Sequence, residues 1–342
     1  MKLTLTLIFL ISLQLSLVFG QSFELNTKEL TLDLKGIIPT GATIHLTHAA
    51  SYKDYFYCFF NDQHVDPKIG HLKKYCFVFS NEGKEIKRLI VPKAIQNSNY
   101  FDLFVKNDSL IVKTTNENQA FYFDCKKSKW VKTSGVDDIL FEDKDYCVYS
   151  KDFGEWGGKT WFRDKKTNFE YAIEATTPLL TKLDSTYYLT CNRTILKIKN
   201  PKNLTKCEDR FKYANIEKEQ QFTAWDCESN GYETIFKDTT EDFESIFFSS
   251  SNFIISSFTS KNQLYHIYQT NNGTYISTLE NHSIKTLQKI GEQLQFFNMF
   301  NSYRYPIQED GTQLLKFKSK NAFGFVVIKN QIMNTYVLKI NN

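Results

Sequence analysis

Apolar residues occur in short runs along almost the whole chain. The runs are four to seven residues long and rich in Phe, Tyr, Ile, Val and Thr, as in Tyr55–Phe60 and Tyr75–Phe79. Asn, Asp, Lys, Gly and Ser separate them, and the spacing of amphipathic helices is scarce. β-branched and aromatic residues favour strands, and the residues between the runs favour turns. The pattern therefore predicts an all-β protein.

One unit of this pattern, an alternating strand followed by a polar turn, recurs along the chain. Its copies are spaced 45, 40, 34, 69 and 51 residues apart and begin at Tyr75, Ala120, Thr160, Thr194, Gln263 and Leu314. A period of about 40 to 50 residues with several strands per period is typical of a β-propeller. Through this spacing the chain resembles repeat-built propellers, without the signature of any named family. We expect a single β-propeller of six four-stranded blades, or seven, and keep a pair of β-sandwiches as the alternative.

Two parts of the chain bear on how such a ring is built. The spacing of 69 residues contains the charged segment Cys207–Phe243, which is either an insertion or a degenerate blade. Residues 23–35 alternate apolar and polar positions, and could pair with the C-terminal run Tyr336–Ile340. Such pairing would close the ring and remove an open sheet edge, which otherwise invites aggregation.

The first 20 residues have the layout of a secretory signal peptide. Lys2 precedes the apolar run Leu3–Phe19, and the small residue Gly20 precedes Gln21. This layout predicts cleavage after Gly20 and export to the periplasm or the cell exterior. Polar residues dilute the run, which disfavours a membrane anchor. We expect residues 21–342 to form the propeller, with no membrane span in the mature chain.

The charge of the chain disfavours nucleic acid as a partner. It has 42 Lys and Arg against 38 Asp and Glu, interspersed along the sequence. Binding of phosphate backbones needs clustered positive charge, which this sequence lacks. A glycan or a protein ligand is compatible with the mixed charge.

Seven cysteines in an exported chain allow disulfides. By proximity in the sequence we expect Cys58 to pair with Cys76, and Cys207 to pair with Cys191 or Cys227. No two cysteines have the C-x-x-C spacing of zinc knuckles or thioredoxin-like motifs, so no metal site and no cofactor is indicated.

The segment Ser150–Trp161 concentrates special residues. It holds two of the four Trp residues and three of the 14 Gly residues. Its Gly-Lys-Thr lacks the spacing of a phosphate-binding loop, which needs four residues between its first Gly and that triplet. The segment is closer to an Asp-box, the Ser-x-Asp-x-Gly-x-Thr-Trp turn of many propellers, with four inserted residues. The resemblance implies that Ser150, Asp152, Thr160 and Trp161 stabilise a hairpin and have no catalytic role.

The inserted residues Gly154–Gly157 are the part of this segment that we expect to bind a ligand. Asp152, Glu155 and Trp156 are the candidate ligand-binding residues, because an exposed indole beside carboxylates offers stacking area for a sugar or an apolar group. The alternative is that Trp156 folds back over its own hairpin. Loops more often carry function than the elements they connect.

A catalytic pattern is not evident, and we expect no catalytic residues. There is no Gly-x-Ser-x-Gly nucleophile turn. Carboxylates such as Asp137, Asp138, Asp143 and Asp145 could serve glycosidic acid–base chemistry only if the fold brought them together. The sequence thus favours a binding or scaffold protein, with a glycan-active hydrolase or lyase as the alternative.

Overall fold

The computed structural model describes eleven segments of the chain, which are residues 22–34, 44–66, 71–115, 119–134, 139–152, 158–191, 193–207, 230–238, 252–291, 311–318 and 322–341. They contain six β-sheets, one short helix, α1 (Lys93–Asn97), and a 3-10 turn at Pro201–Asn203. The sheets are the blades of a propeller, numbered below in chain order by their innermost strands. The predicted six-bladed, all-β fold is confirmed.

The first strand, β1 (Glu24–Asp33), belongs to the last blade. Blade 1 consists of β2 (Ile44–Tyr52), β3 (Tyr55–Asp66), β4 (His71–Ser80) and β5 (Glu85–Leu89). Blade 2 consists of β6 (Phe101–Lys106), β7 (Ser109–Thr114), β8 (Ala120–Asp124) and β9 (Lys129–Thr133). Blade 3 consists of β10 (Phe141–Glu142), β11 (Tyr146–Asp152), β12 (Gly158–Asp164) and β13 (Glu170–Glu174).

Blade 4 consists of β14 (Leu179–Leu183), β15 (Thr186–Cys191), β16 (Thr194–Ile198) and β18 (Glu233–Lys237). Between β16 and β18 the chain forms β17 (Thr205–Cys207), which is the fifth strand of blade 3. Blade 5 consists of β19 (Phe253–Ser260), β20 (Gln263–Thr270), β21 (Gly273–Glu280) and β22 (Ser283–Gly291). Blade 6 consists of β23 (Gln313–Lys318), β24 (Phe323–Lys329), β25 (Ile332–Asn341) and β1.

The long spacing in the sequence repeat is an insertion within blade 4. The chain leaves β16, adds β17 to the outer edge of blade 3, and returns as β18 beside β16. Residues 208–229, between these two strands, lie outside the described segments. The described parts of the segment therefore belong to two neighbouring blades, 3 and 4.

The second and third strands of a blade, such as β3 and β4, are buried on both faces because each blade is packed between two others. In β3, Phe56 and Phe60 enter the core between blades 6 and 1, while Tyr57 and Phe59 enter the core between blades 1 and 2. This double burial explains the continuous apolar runs, which are unusual for an antiparallel sheet with one solvated face.

The ring is closed by the N-terminal strand, as the sequence predicted. β1 pairs in parallel with β25 along its whole length, and Leu30 lies opposite Leu338. Leu30 and Leu32 are completely buried in the core between blades 6 and 1. At the contact with blade 1, a Cβ on Gly83 would lie 2.1 Å from the carbonyl oxygen of Glu29, and φ there is +86°. Only glycine suits this approach.

The order of the strands determines at which of the two ends of the ring each connection lies. The first three strands of each blade are antiparallel to their neighbours, so the hairpin from the second to the third strand lies at the same end as the connections between blades. We call this side the loop end. The hairpin from Asp152 to Gly158 belongs to it, and the turn from Tyr52 to Tyr55 lies at the opposite end.

In the part of the chain that the structure describes, no helix is both long and apolar enough to cross a membrane.

Candidate functional site

The segment with the Asp-box resemblance forms a hairpin in blade 3. Its strands, β11 and β12, are the second and third of the blade. The hairpin therefore precedes the one that joins the third and fourth strands. Ser150 pairs with Thr160, and Asp152 pairs with Gly158. The segment Ser150–Trp161 therefore begins and ends in the body of the blade and has its turn at the loop end.

Hydroxyl groups on one face of this hairpin form a buried hydrogen-bond cluster. The Ser150 Oγ donates to the carbonyl of Lys159 at 3.0 Å and accepts from the backbone N–H of Thr177 at 3.0 Å. The Thr160 Oγ1 lies 2.8 Å from the carbonyl oxygen of Ala175 and 3.0 Å from the Ser150 Oγ. The cluster ties the hairpin to the connection that leaves blade 3 for blade 4.

Trp161 lies on the opposite face of the hairpin. Its side chain is fully buried, and its ring stacks on Tyr149 with centroids 5.5 Å apart. The Tyr149 hydroxyl donates to the carboxylate of Glu170, which is also buried. Trp161 packs within the protein interior and offers no surface to a ligand.

Lys159 lies beside Trp161 on this face, and the sequence did not predict its burial. Its side chain is 5% exposed, and its Nζ has no hydrogen-bond partner in the described part of the chain. This lysine belongs to the Gly-Lys-Thr triplet, which lacks the residue spacing of a phosphate-binding loop. The spacing of residues in the sequence cannot predict that the ammonium group is buried.

The candidate ligand-binding residues fall at or beyond the limit of the described structure. Glu155 and Trp156 lie outside the described residues, and only the backbone of Asp152 is described, at the end of β11. Their ligand-binding role stays a prediction.

Two predicted disulfide pairings are corrected. Cys58 and Cys76 are free thiols, because Cys58 faces blade 6 and Cys76 faces blade 2. They are offset by one residue in the pairing of β3 with β4, and this offset sends their side chains to opposite faces. Cys191 is also a free thiol. Of the pairings considered for Cys207, the one with Cys227 remains a prediction, since neither side chain is described.

The innermost strands of the described blades contain two carboxylates. They are Asp102 on β6 and Glu142 on β10. Glu142 forms an ion pair with Lys165 at 2.8 Å, and the hydrogen bond from Lys165 lowers the pKa of this carboxyl. Basic residues on the same strands are more numerous, namely His45, His48, Lys106, Lys182, Lys316 and Lys318.

Buried basic groups meet near the innermost strands of blades 6 and 1. The Lys316 Nζ donates to the carbonyl oxygen of Thr47, and the His48 ring packs on Phe101 with centroids 3.9 Å apart. Burial lowers the pKa of Lys316 to about 7 and the pKa of Lys74 to about 8. Burial, together with the charge of Lys316, holds the pKa of His48 well below its usual value.

A second polar cluster joins the innermost strands of blades 4, 5 and 6. The Ser257 Oγ lies 2.7 Å from His266 Nδ1 and 2.6 Å from Thr190 Oγ1. The Ser257 carbonyl oxygen accepts from Thr181 in blade 4 and from Gln313 in blade 6, each at 3.4 Å. Burial lowers the pKa of His266 to about 3, so the imidazole is neutral. Ser257 and His266 have no exposed surface, so this Ser–His pair holds blades together and is closed to substrates.

No protein-family model and no curated protein sequence matches the chain. Several solved structures overlap with it at low similarity. An acylaminoacyl peptidase from Pyrococcus horikoshii is 7% identical with a TM-score of 0.40, and the alignment covers 86% of this chain and 52% of the peptidase. The chain thus spans about half the length of this protein.

Two glycosidases overlap over most of both chains. An exo-β-1,3-galactanase from Phanerochaete chrysosporium is 8% identical with a TM-score of 0.32, and the alignment covers 94% of each chain. A GH32 β-fructofuranosidase from Bombyx mori is 7% identical with a TM-score of 0.28, covering 94% of this chain and 88% of the enzyme. Such identities and TM-scores give no ground for transferring any of these activities to this chain. The fold conclusion rests on the blades themselves, and it does not extend to a named family.

Proposed function

We propose that this chain is an exported β-propeller that acts as a binding or scaffold module for a glycan or a protein ligand. The ligand is contacted from the loop end of the ring, where the hairpin between β11 and β12 has its turn. Asp152, Glu155 and Trp156 are the proposed ligand-binding residues.

The observation that carries the proposal is the state of the carboxylates on the innermost strands. A glycosidase needs a carboxyl group with a raised pKa as proton donor and a second carboxylate at a defined distance from it. Glu142 instead has a lowered pKa, because Lys165 donates a hydrogen bond to it. This ion pair suits a structural role. Within the described innermost strands, Asp102 is then the one remaining carboxylate, which supports binding over hydrolysis.

Export is part of the same proposal. It is supported by the signal-like layout of residues 1–20, with cleavage expected after Gly20. N-terminal sequencing of the chain recovered from the culture medium or periplasm of an expressing cell is expected to begin at Gln21.

The ligand-binding role is tested with a glycan and peptide array. We expect the wild type to bind a subset of probes and Trp156→Ala to lose at least tenfold in affinity, because stacking on an indole is removed. Tyr55→Ala is the matched control, since Tyr55 is an exposed aromatic residue at the opposite end of the ring. Absence of any binding by the wild type would contradict the proposal, and equal binding by Trp156→Ala would remove this loop from it.

A further inference from the structure

The space between blades 2 and 3 at the loop end receives side chains from the hairpin of blade 3. On β12, Phe162 packs in the core between blades 3 and 4. Because side chains alternate along a strand, Lys159 and Trp161 project from the other face, toward blade 2. Lys159 is the second residue of β12 and so lies next to the loop end.

The ammonium group of Lys159 is buried and has no hydrogen-bond partner among the described residues. Its side chain is 5% exposed. A buried charge without a partner is strongly unfavourable, so native proteins rarely retain one unless it serves a function. Because the described residues supply no acceptor at this position, the ammonium group is suited to an anionic group of a ligand.

One of the two cross-strand neighbours of Lys159 is also a lysine. Lys151 lies directly opposite Lys159 on β11, and like charges in such a pair destabilise a sheet. Glu174 lies opposite Lys159 on β13. Among the ion pairs of the described residues, however, none joins Lys159 to Glu174.

Blade 2 contributes a further buried lysine to the same space. On β7, Leu110 and Val112 pack in the core between blades 1 and 2. By alternation, Lys113 projects from the other face, toward blade 3, and it is 4% exposed. Like Lys159, it lies within two residues of its strand's loop end. Two buried lysines thus extend from facing sheets into one interblade space.

We propose that this space binds a carboxylate group of the ligand, with the Lys159 ammonium as its charge partner and Lys113 contributing positive potential. One unpaired ammonium balances one negative charge, which suits a carboxylate better than a dianionic phosphate. Acidic sugars and acidic amino acids both offer such a group. The inference rests on the proposed binding function and specifies the ligand class.

The proposal is tested by thermal unfolding with D-glucuronate, with L-glutamate and with the neutral sugar D-glucose. For the wild type, glucuronate or glutamate is expected to raise Tm, and glucose is expected to leave it unchanged. Lys159→Met keeps the length of the side chain and removes the charge. We expect this variant to lose the carboxylate-dependent shift and to have a Tm a few degrees above that of the wild type in buffer, about 2 to 4 °C.

Lys132→Met is the matched control, because Lys132 is an exposed strand lysine on β9. It is expected to keep both the Tm of the wild type and the carboxylate shift. Calorimetric titration of the wild type with the three probes needs no variant and gives a second measurement. A wild type that neither acid stabilises more than glucose would overturn the proposal, as would a Lys159→Met variant that keeps the shift.

The outcomes separate this inference from the proposed function. If the array finds a neutral ligand whose affinity Lys159→Met leaves unchanged, the binding function stands and the carboxylate site is wrong. If the array finds no ligand but the carboxylate shift depends on Lys159, the site stands and the binding function is wrong. A larger shift with glucuronate than with glutamate would assign the site to acidic sugars, and the reverse would assign it to acidic peptides.

Discussion

At the scale of single residues, the hydroxyl group of Ser150 is the centre of the hydrogen-bond cluster in the hairpin of blade 3. It contacts the carbonyl of Lys159, the hydroxyl of Thr160 and the backbone N–H of Thr177, each at 3.0 Å. Ser150→Ala removes a shared partner and leaves the part-buried N–H group of Thr177 without its acceptor. We expect the free energy of unfolding to fall by about 1 to 3 kcal/mol. Urea denaturation measures this change.

Ser283→Ala is the control for this prediction, since Ser283 is an exposed strand residue of blade 5. Its effect is expected to stay within about 0.5 kcal/mol. Similar midpoints for the two variants would mean that the hydroxyl cluster does not stabilise the hairpin.

The sequence could predict residue types at the hairpin but not the environment of each side chain. The alternation of Ser150 and Thr160 with Trp161 follows from the pairing of β11 with β12, so the division into a polar and an aromatic face was predictable. The burial of Lys159 depends on the neighbouring blade, which no local pattern describes. For the same reason, the contacts of Ser257 with blades 4 and 6 have no signal in the sequence.

At the scale of elements, one carboxylate links blade 3 to blade 4 by hydrogen bonds, in addition to the apolar core between them. Asp143 accepts hydrogen bonds from the side chains of Lys182 and Tyr187 in blade 4 and from the backbone of Asp145 and Tyr146. Burial opposes ionisation of this carboxyl, but the hydrogen bonds outweigh it and lower the pKa of Asp143 to about 2. The folded pKa is below the unfolded value of about 3.9, so the stabilisation is present above pH 4 and is lost as pH falls toward 2.

Asp143→Asn should therefore destabilise the protein by about 1 to 2 kcal/mol at pH 7, and the difference from the wild type should shrink between about pH 4 and pH 2. Denaturant unfolding at several pH values measures it. Asp108→Asn is the control, because the ion pair of Asp108 with Lys53 is largely exposed and worth little. A difference between Asp143→Asn and the wild type that stays constant down to pH 2 would contradict the linkage.

The elements themselves were predictable in part. The repeat units beginning at Tyr75, Ala120, Thr160 and Thr194 correspond to the third strands of blades 1 to 4. The unit at Gln263 is instead the second strand of blade 5, and the unit at Leu314 lies in the first strand of blade 6, so the period does not hold after the insertion in blade 4. Irregularities within a strand are also invisible to a pattern of alternation.

Strand β2 is an example of such an irregularity. Strict alternation over three residues would place His45 and His48 on opposite faces. A β-bulge between Leu46 and His48 interrupts the register of β2 with β3. The bulge adds one residue to one strand, so the alternation rule does not apply across it.

At the scale of the whole molecule, the ring is held closed by side chains from the two ends of the chain. Leu30 on β1 lies opposite Leu338 on β25 and has no exposed surface. Leu30→Ala should lower the free energy of unfolding by about 2 to 5 kcal/mol, because it leaves a cavity in the core between blades 6 and 1. Leu25→Ala is the matched control on the same strand, since Leu25 is 38% exposed, and its cost should stay below about 1 kcal/mol.

Hydrogen exchange separates a local role of β1 from closure of the whole ring. If β1 holds the ring together, opening of blade 6 frees the neighbouring blades, and the protection lost in Leu30→Ala should extend around the ring. Amides of β24 in blade 6 and of β12 in blade 3, across the ring, should then lose similar free energies of protection. Wild-type protection in β12 with reduced protection in β24 would show that β1 stabilises only its own blade. The ring would then be a set of separately stable blades, and the long-range pairing of residues 24–33 with residues 332–341 would have no part in its cooperativity.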